Sequence, residues 1–162
     1  MYVNSPFGIS ISHNGNLTNH EELRDSLVKK DLRHLNTDSD SEVLLNVFAH
    51  ELQKQGSINP GSKEVFAAVK SLHKRVRGAY SVVMMINGVG IVGFRDPFGI
   101  RPLIVGSKES DLIGKDYMIA SESTVLDSLG YEVMDDVMAG SAVFISSDGK
   151  METESCINNP IP

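Results

Sequence analysis

The residues of this chain whose types and spacing could do chemistry are concentrated in the stretch His13-Asn14-Gly15. Asn14 carries an amide side chain that donates hydrogen bonds, and Gly15 offers a backbone N–H with no side chain in front of it. Two adjacent donors of this kind can converge on one developing oxyanion. Asn-Gly is also a common turn dipeptide, so the residues alone leave open a simple turn between a strand and a helix.

Cys156 is the single cysteine and the candidate nucleophile. No Lys, Arg or His lies within five residues of it to lower the pKa of the thiol. We therefore expect an inert thiol, and a lone cysteine provides no internal disulfide.

The glycine-rich segment Gly88 to Gly93 matches the G-x-G-x-x-G pattern of dinucleotide sites. That pattern requires a helix to begin at its third glycine, and Pro97 and Pro102 prevent one here. We expect a β-hairpin that turns at Asn87-Gly88 instead. The five histidines lack the H-x-x-x-H spacing of a zinc site, and no G-x-S-x-G elbow supports a serine triad, so no metal site is predicted.

The composition of the chain fits a single folded domain. Its 162 residues carry a net charge of -6, which argues against nucleic acid as the main partner. The basic cluster His73 to Arg77 is expected to be a solvated helix end, where cations complement the helix dipole. The sequence contains no apolar run long enough for a membrane span and no signal peptide, so we expect a cytoplasmic protein.

The elements that must position these residues begin with one strand over residues 2–15, where apolar and polar residues alternate. A helix follows, with Thr18 and Glu21 as a possible capping box. Ser39 and Glu42 repeat this arrangement before a second helix.

The second half of the chain changes from helix to strand. A third helix is predicted over residues 64–76, and Gly78 ends it. Strands are expected over residues 79–86, 90–95, 102–106, 116–123 and 139–146, with a short helix over residues 123–130. This order predicts an α+β fold with helices layered on stacked antiparallel sheets.

Five segments occur in an order that resembles a known family: "SHNGNLTNHEELR", "NTDSDSEVLLNVFAHEL", "RGAYSVVMMI", "GFRDPFGIRPLIVG" and "DYMIASES". Together they resemble the glutamine amidotransferase domain of the amidophosphoribosyltransferases, which catalyse the first committed step of purine synthesis. The similarity extends from Tyr2 to about Ser146. It implies the N-terminal-nucleophile (Ntn) hydrolase fold, an αββα sandwich of antiparallel sheets between helices.

The resemblance also implies roles for three residues. Asn14 and the backbone amide of Gly15 would form the oxyanion hole for hydrolysis of the glutamine side-chain amide, and Asp40 would bind the α-amino group of glutamine. The residues alone leave open that Asp40 only stabilises a helix start.

The chain departs from the family pattern at its beginning, because it starts with "MYVNSPFG" and has no cysteine before residue 156. In the family an N-terminal cysteine is the nucleophile, and an arginine that holds the glutamine carboxylate lies in a segment that is also missing. We therefore expect residues 1–162 to be a partial glutaminase domain, incomplete at its N-terminus and inactive when isolated.

The resemblance places the remaining partners outside this segment. The phosphoribosyltransferase domain, which would receive the ammonia, is expected in the parent enzyme, with magnesium needed only there and no cofactor here. A homo-oligomer is expected for the parent. Two alternatives stay open: a relative that feeds ammonia to asparagine or glucosamine-phosphate synthesis, and a non-catalytic module that binds an amino acid or a partner.

Overall fold

The computed structural model describes residues 1–111 and 114–157. In this part of the chain all strand pairs are antiparallel. The elements in chain order are β1 Tyr2–Val3, β2 Ile9–Leu17, α1 His20–Lys29, α2 Asp40–Gln53, α3 Ser62–Arg75, β3 Gly78–Ile86, β4 Gly90–Arg95, β5 Ile104–Ser110, β6 Gly114–Ala120, α4 Ser123–Ser128, β7 Glu132–Asp136, β8 Ser141–Ser146 and β9 Met151–Ser155.

The larger sheet has six strands in the order β1-β2-β3-β4-β8-β9. Every second residue of its strands points to one face, where Ile9, Met84, Val92 and Phe144 are buried in one core with the apolar sides of α1, α2 and α3. This face carries the main core because three helices cover it, and α2 is buried on nearly all sides between α1, α3 and the sheet.

The smaller sheet has the order β6-β5-β7 and packs against the opposite face of the larger sheet. Leu103, Val105 and Val137 form a second buried cluster there with Val143 of β8. Helix α4 lies on the outer side, where Leu126 packs close to Gly106 of β5. The layers are therefore helices, sheet, sheet and helix, and the predicted α+β sandwich is confirmed.

The first predicted strand is wrong in its extent, because residues 2–15 contain two strands. Tyr2 pairs antiparallel with Ser10, so the chain reverses between β1 and β2. Strands β7 and β9 were not predicted. All five residues of β7 are exposed, and β9 has the polar sequence Met-Glu-Thr-Glu-Ser, so neither strand has the apolar alternation of a half-buried strand.

The helix starts were predicted with partly wrong caps. Helix α1 begins after Asn19, and its side chain makes no cap hydrogen bond, so the proposed pair of Thr18 and Glu21 is not formed. The Asn19 side chain instead donates to the carbonyl of Arg75 and accepts the N–H of Arg77, which ties the start of α1 to the end of α3. The start of α1 is therefore fixed by a contact between two helices rather than by a local cap.

The basic cluster at the end of α3 is only partly solvated, which corrects the prediction. Arg75 forms ion pairs with Asp31 at 2.6 Å and Glu51 at 2.8 Å. The Nδ1 atom of His73 lies 2.8 Å from the hydroxyl of Tyr80, which is fully buried. Arg75 lies inwards because carboxylates on neighbouring elements pair with it, whereas His73 is held by a hydroxyl group.

The hairpin turn at Asn87-Gly88 is confirmed between β3 and β4: the N–H of Val89 donates to the carbonyl of Ile86, and Gly88 at the third position of the turn has φ +73°, which favours glycine. The Asp96 carboxylate after β4 is fully buried and accepts the N–H groups of Tyr80, Phe98 and Ile100. The "RDPFGIRP" segment is therefore a hydrogen-bonded loop rather than a phosphate-binding helix start. None of the helices in the described ranges is long and apolar enough to cross a membrane.

Candidate active site

Asn14 and Gly15 lie inside strand β2, not in a turn. Asn14 is opposite Ser81 of β3, and Gly15 is opposite Tyr80, in an uninterrupted register. Gly15 has φ +138°, and a Cβ atom there would lie 1.9 Å from the carbonyl oxygen of Ala79. Only glycine fits this position, because the neighbouring strand occupies the space that a side chain would need.

The backbone N–H of Gly15 points away from β3. In an antiparallel pair, alternate residues direct their N–H groups to opposite edges of a strand. Thr18 donates to the carbonyl of Arg77 just before β3, whereas Ile11 donates to Met1 on the other edge. Gly15 and Ile11 are separated by an even number of positions in β2, so the N–H of Gly15 points to the same edge as that of Ile11, the β1 side.

On that side, the edge of β2 is open beside Gly15. Strand β1 pairs only with Ile9 and Ser10, so the described residues place no strand next to the second half of β2. The side chain of Asn14 is exposed on the sheet face away from the α1 to α3 layer and makes no hydrogen bond within the described ranges. Asn14 therefore offers a donor from the sheet face and Gly15 offers one from the adjoining edge.

Asp40 is the first residue of α2 and is bonded to the same strand. Its Oδ2 atom accepts the N–H of Leu17 at 2.8 Å, which brings the carboxylate to the edge that Gly15 faces. The other oxygen, Oδ1, lies 3.8 Å from Nε2 of His20 and accepts no hydrogen bond from the described part of the chain. Ser39 caps the helix by accepting the N–H of Ser41, as predicted.

Glu42 shapes the loop before α2 and does not close the predicted capping box. Its buried carboxylate accepts hydrogen bonds from the backbone N–H and the side-chain amide of Asn36 at 2.8 and 3.2 Å. It also accepts them from the backbone N–H and the hydroxyl of Thr37, both at 2.6 Å. Burial would raise the pKa of Glu42, but these bonds hold it below its ordinary value. Glu42 therefore stays ionised and fixes the approach to Asp40.

His13 and Ser41 are site neighbours whose contact and role were not predicted from the sequence. The Nδ1 atom of His13 lies 3.1 Å from the Oγ atom of Ser41. Burial lowers the pKa of His13, and the nearby Asp40 carboxylate only partly opposes this, so the imidazole is neutral near pH 7. The available signal was their position, since each residue directly adjoins a proposed site residue in the motifs "HNG" and "SDSE".

A surface depression lies beside the Asp40 carboxylate. Its lining is polar and includes carboxylates and one arginine, but neither Asn14 nor Gly15. Its lining consists of Thr18, Asn19, His20, Glu21, Glu22, Asp40 and Arg77.

The other chemical candidates lie apart from this region. Within residues 1–111 and 114–157, no group of three or more His, Cys, Asp or Glu side chains could hold a metal ion. The thiol of Cys156 is buried beneath α3, where Sγ lies 3.8 Å from the carbonyl oxygen of Phe66. Burial raises its pKa to about 12, and the Glu154 carboxylate adds to this, so the prediction of an inert thiol agrees with its environment.

This two-sheet sandwich, with a bare amide on an open strand edge, is the fold of a glutamine amidotransferase domain. A family model described as a glutamine amidotransferase domain matches residues 2–128, and the chain belongs to this family.

Within the family the chain is similar to amidophosphoribosyltransferases, as the motifs predicted. It is 53% identical to that of Pseudomonas aeruginosa over 98% of its length and 48% identical to that of Escherichia coli over 99%. The chain spans about a third of these relatives, 32% in both cases.

Solved structures agree with this assignment. The glutamine phosphoribosylpyrophosphate amidotransferase from B. subtilis, solved with ADP and GMP, superimposes with a TM-score of 0.74 at 25% identity. The match covers 99% of this chain and 31% of that one. A glutamine aminotransferase class-II domain protein from Silicibacter pomeroyi, at 15% identity and a TM-score of 0.56, shares the fold.

Proposed function

We propose that this chain is the glutamine-binding part of an amidophosphoribosyltransferase. The Asn14 side chain and the Gly15 N–H stabilise the oxyanion that forms on the glutamine side-chain amide, and Asp40 binds the α-ammonium group. The observation that carries this proposal is the Leu17–Asp40 hydrogen bond of 2.8 Å, since it brings a carboxylate to the edge that the Gly15 N–H faces, and its Oδ1 atom accepts no hydrogen bond from the described residues.

In this proposal the described residues supply recognition and charge stabilisation but not the nucleophile. The only cysteine is buried, and its raised pKa keeps the thiol protonated at neutral pH. Residual hydrolysis from oxyanion donors alone is roughly 10³ to 10⁴ over water in a comparable hydrolase. We therefore propose that the 162-residue chain by itself shows no useful glutaminase turnover.

The remaining parts of the proposal concern the parent enzyme. Glutamine is hydrolysed to glutamate and ammonia, and the ammonia reacts with phosphoribosyl pyrophosphate on a separate phosphoribosyltransferase domain. The proposal assigns no cofactor to this segment and magnesium to that domain. It also places the enzyme in the cytoplasm as a homo-oligomer.

A chimera tests the proposed roles. The chain replaces the matching third of the Pseudomonas aeruginosa relative, and glutamine-dependent and ammonia-dependent reactions are compared. Asn14→Ala should lower kcat with glutamine by roughly 10² to 10³, the usual cost of one oxyanion donor. Asp40→Asn should mainly raise KM for glutamine, because it weakens ground-state binding of the ammonium group.

Each variant has a matched control on the same element or in the adjoining loop. Asn16→Ala changes an exposed asparagine of β2, and Asp38→Asn changes an exposed aspartate two positions before Asp40. Both controls should keep glutamine turnover, and all four variants should keep the ammonia-dependent reaction. Normal glutamine turnover in Asn14→Ala and Asp40→Asn would refute the assigned roles, and glutamine binding without turnover in the unchanged chimera would favour a non-catalytic module.

A further inference from the structure

Two hydrogen bonds join the start of α2 to strand β2, one on each side of Gly15. Two residues after Gly15, the N–H of Leu17 donates to Oδ2 of Asp40 at 2.8 Å. Two residues before it, Nδ1 of His13 lies 3.1 Å from Oγ of Ser41. The first turn of α2 is therefore attached to β2 on both sides of the Gly15 amide, and the orientation of that turn depends on both hydrogen bonds.

The imidazole of His13 is not explained by packing alone. Its Nε2 atom is buried and has no hydrogen-bond partner in the described ranges, a condition that costs stability. An apolar side chain could fill the same space without that cost. What the imidazole adds is its bond to Ser41, the residue next to Asp40.

We propose that His13 and Ser41 are positioning residues that orient the Asp40 carboxylate for the α-ammonium group of the substrate, an inference that rests on the proposed function. The Leu17 bond fixes one carboxylate oxygen, and the His13–Ser41 bond fixes the helix turn that sets the direction of the other. The pair thus controls selectivity for α-amino acid amides over simple amides. It contributes nothing to binding of the amide group itself.

Two ligands that differ only at the α-carbon test this inference. Glutamine and glutaramate, which lacks the α-amino group, are compared in the chimera, where KM is measured for glutamine and the inhibition constant is measured for glutaramate as a competitor of glutamine turnover. His13→Leu and Ser41→Ala should each weaken glutamine binding about threefold to tenfold, the value of one lost hydrogen bond. Glutaramate binding should be unchanged, and Asp40→Asn provides the reference for full loss of selectivity.

Conservative variants separate positioning from bulk structure. His13→Asn places an amide group near the position of the lost Nδ1 atom and should restore selectivity, whereas His13→Gln places it one bond further out and should not. The double variant His13→Leu/Ser41→Ala should be no worse than either single change, because one bond is lost in each. His34→Leu, at an exposed histidine, is the control and should behave like the unchanged chimera.

The outcomes distinguish this inference from the proposed function. If the unchanged chimera binds no glutamine, or binds glutaramate equally well, the proposed role of Asp40 fails and the inference fails with it. If glutamine is preferred but His13→Leu keeps that preference, or weakens both ligands equally, the inference alone is overturned. The inference is supported if His13→Leu weakens glutamine binding but not glutaramate binding, with an unchanged or higher melting temperature.

Discussion

At the scale of single residues, the candidate site depends on an absent side chain. Glycine is required at position 15 because a Cβ atom there would lie 1.9 Å from the Ala79 carbonyl oxygen of β3, and the Gly15 N–H is accessible because the described residues place no strand on its side of β2. Gly78 on the facing strand has a similar constraint, because its Cβ would lie 2.2 Å from the carbonyl oxygen of Asn16. Two glycines thus permit the close approach of β2 and β3 at this end of the sheet.

Gly15→Ala should destabilise the fold by roughly 3 kcal/mol, because the methyl group overlaps the Ala79 carbonyl and the backbone angle is unfavourable for alanine. Gly56→Ala is the matched control, since Gly56 has φ +74° but no atom within 4 Å of the added Cβ. It should cost only about 1 kcal/mol. Urea unfolding measures both values, and equal losses would show that steric overlap at Gly15 is not the cause.

At the scale of elements, side chains on one element fix the backbone of the next. Asp96 at the end of β4 accepts the N–H of Tyr80, and its own N–H donates to the Tyr80 carbonyl, so it holds the residue that faces Gly15. The hydroxyl of Tyr80 meets His73 of α3 at 2.8 Å. Helix α3, strand β3 and the loop after β4 are therefore coupled through one buried polar cluster.

The His73 imidazole should make stability depend on pH. Burial lowers its pKa to about 4 from 6.5, and Asp96 only partly opposes this. Between these values the unfolded chain binds a proton that the folded chain does not, so the free energy of unfolding falls as the pH falls, by at most about 3 kcal/mol. His73→Gln should flatten this acid slope in urea titrations from neutral pH to about pH 4.5.

Exposed His34 provides the comparison for that experiment, because His34→Gln should keep the slope of the unchanged chain. The buried His73 would not be the titrating group if both variants retained the same acid slope.

At the scale of the whole molecule, two cores lie on opposite faces of the six-stranded sheet, and the site lies at its free edge rather than in either core. Cys156, near the end of the described chain, is buried in the main core. Its N–H donates to the carbonyl of Gly140, and its thiol faces Phe66 of α3. The end of the described chain is therefore part of the folded unit.

The Cys156 thiol should report on global unfolding. Iodoacetamide should modify the native chain roughly a thousandfold more slowly than the chain in urea, because only opened molecules expose this group. Mass spectrometry gives both rates. The variant Ser155→Cys/Cys156→Ser, which moves the thiol to the neighbouring exposed position, should react rapidly under native conditions. Rapid labelling of native Cys156 would instead mean that this end of the chain separates readily from α3.

The sequence by itself determined the features that depend on nearby residues. Helical spacing over residues 64–76 predicted α3, and Asn87-Gly88 predicted the hairpin between β3 and β4. The motif resemblance identified the family and the layered fold. It also led to Asn14, Gly15 and Asp40 as candidate site residues, whose roles stay predictions.

Only the tertiary structure decided the contacts that give those residues their setting. The direction of the Gly15 N–H follows from the register with β3, and His13 meets Ser41 across 28 positions of sequence. Glu42 accepts hydrogen bonds from Asn36 and Thr37 instead of forming the expected cap, because the loop before α2 places their N–H groups next to its carboxylate. Hydrogen-bond partners depend on which strand or loop lies alongside, and periodicity in one segment carries no information about that neighbour.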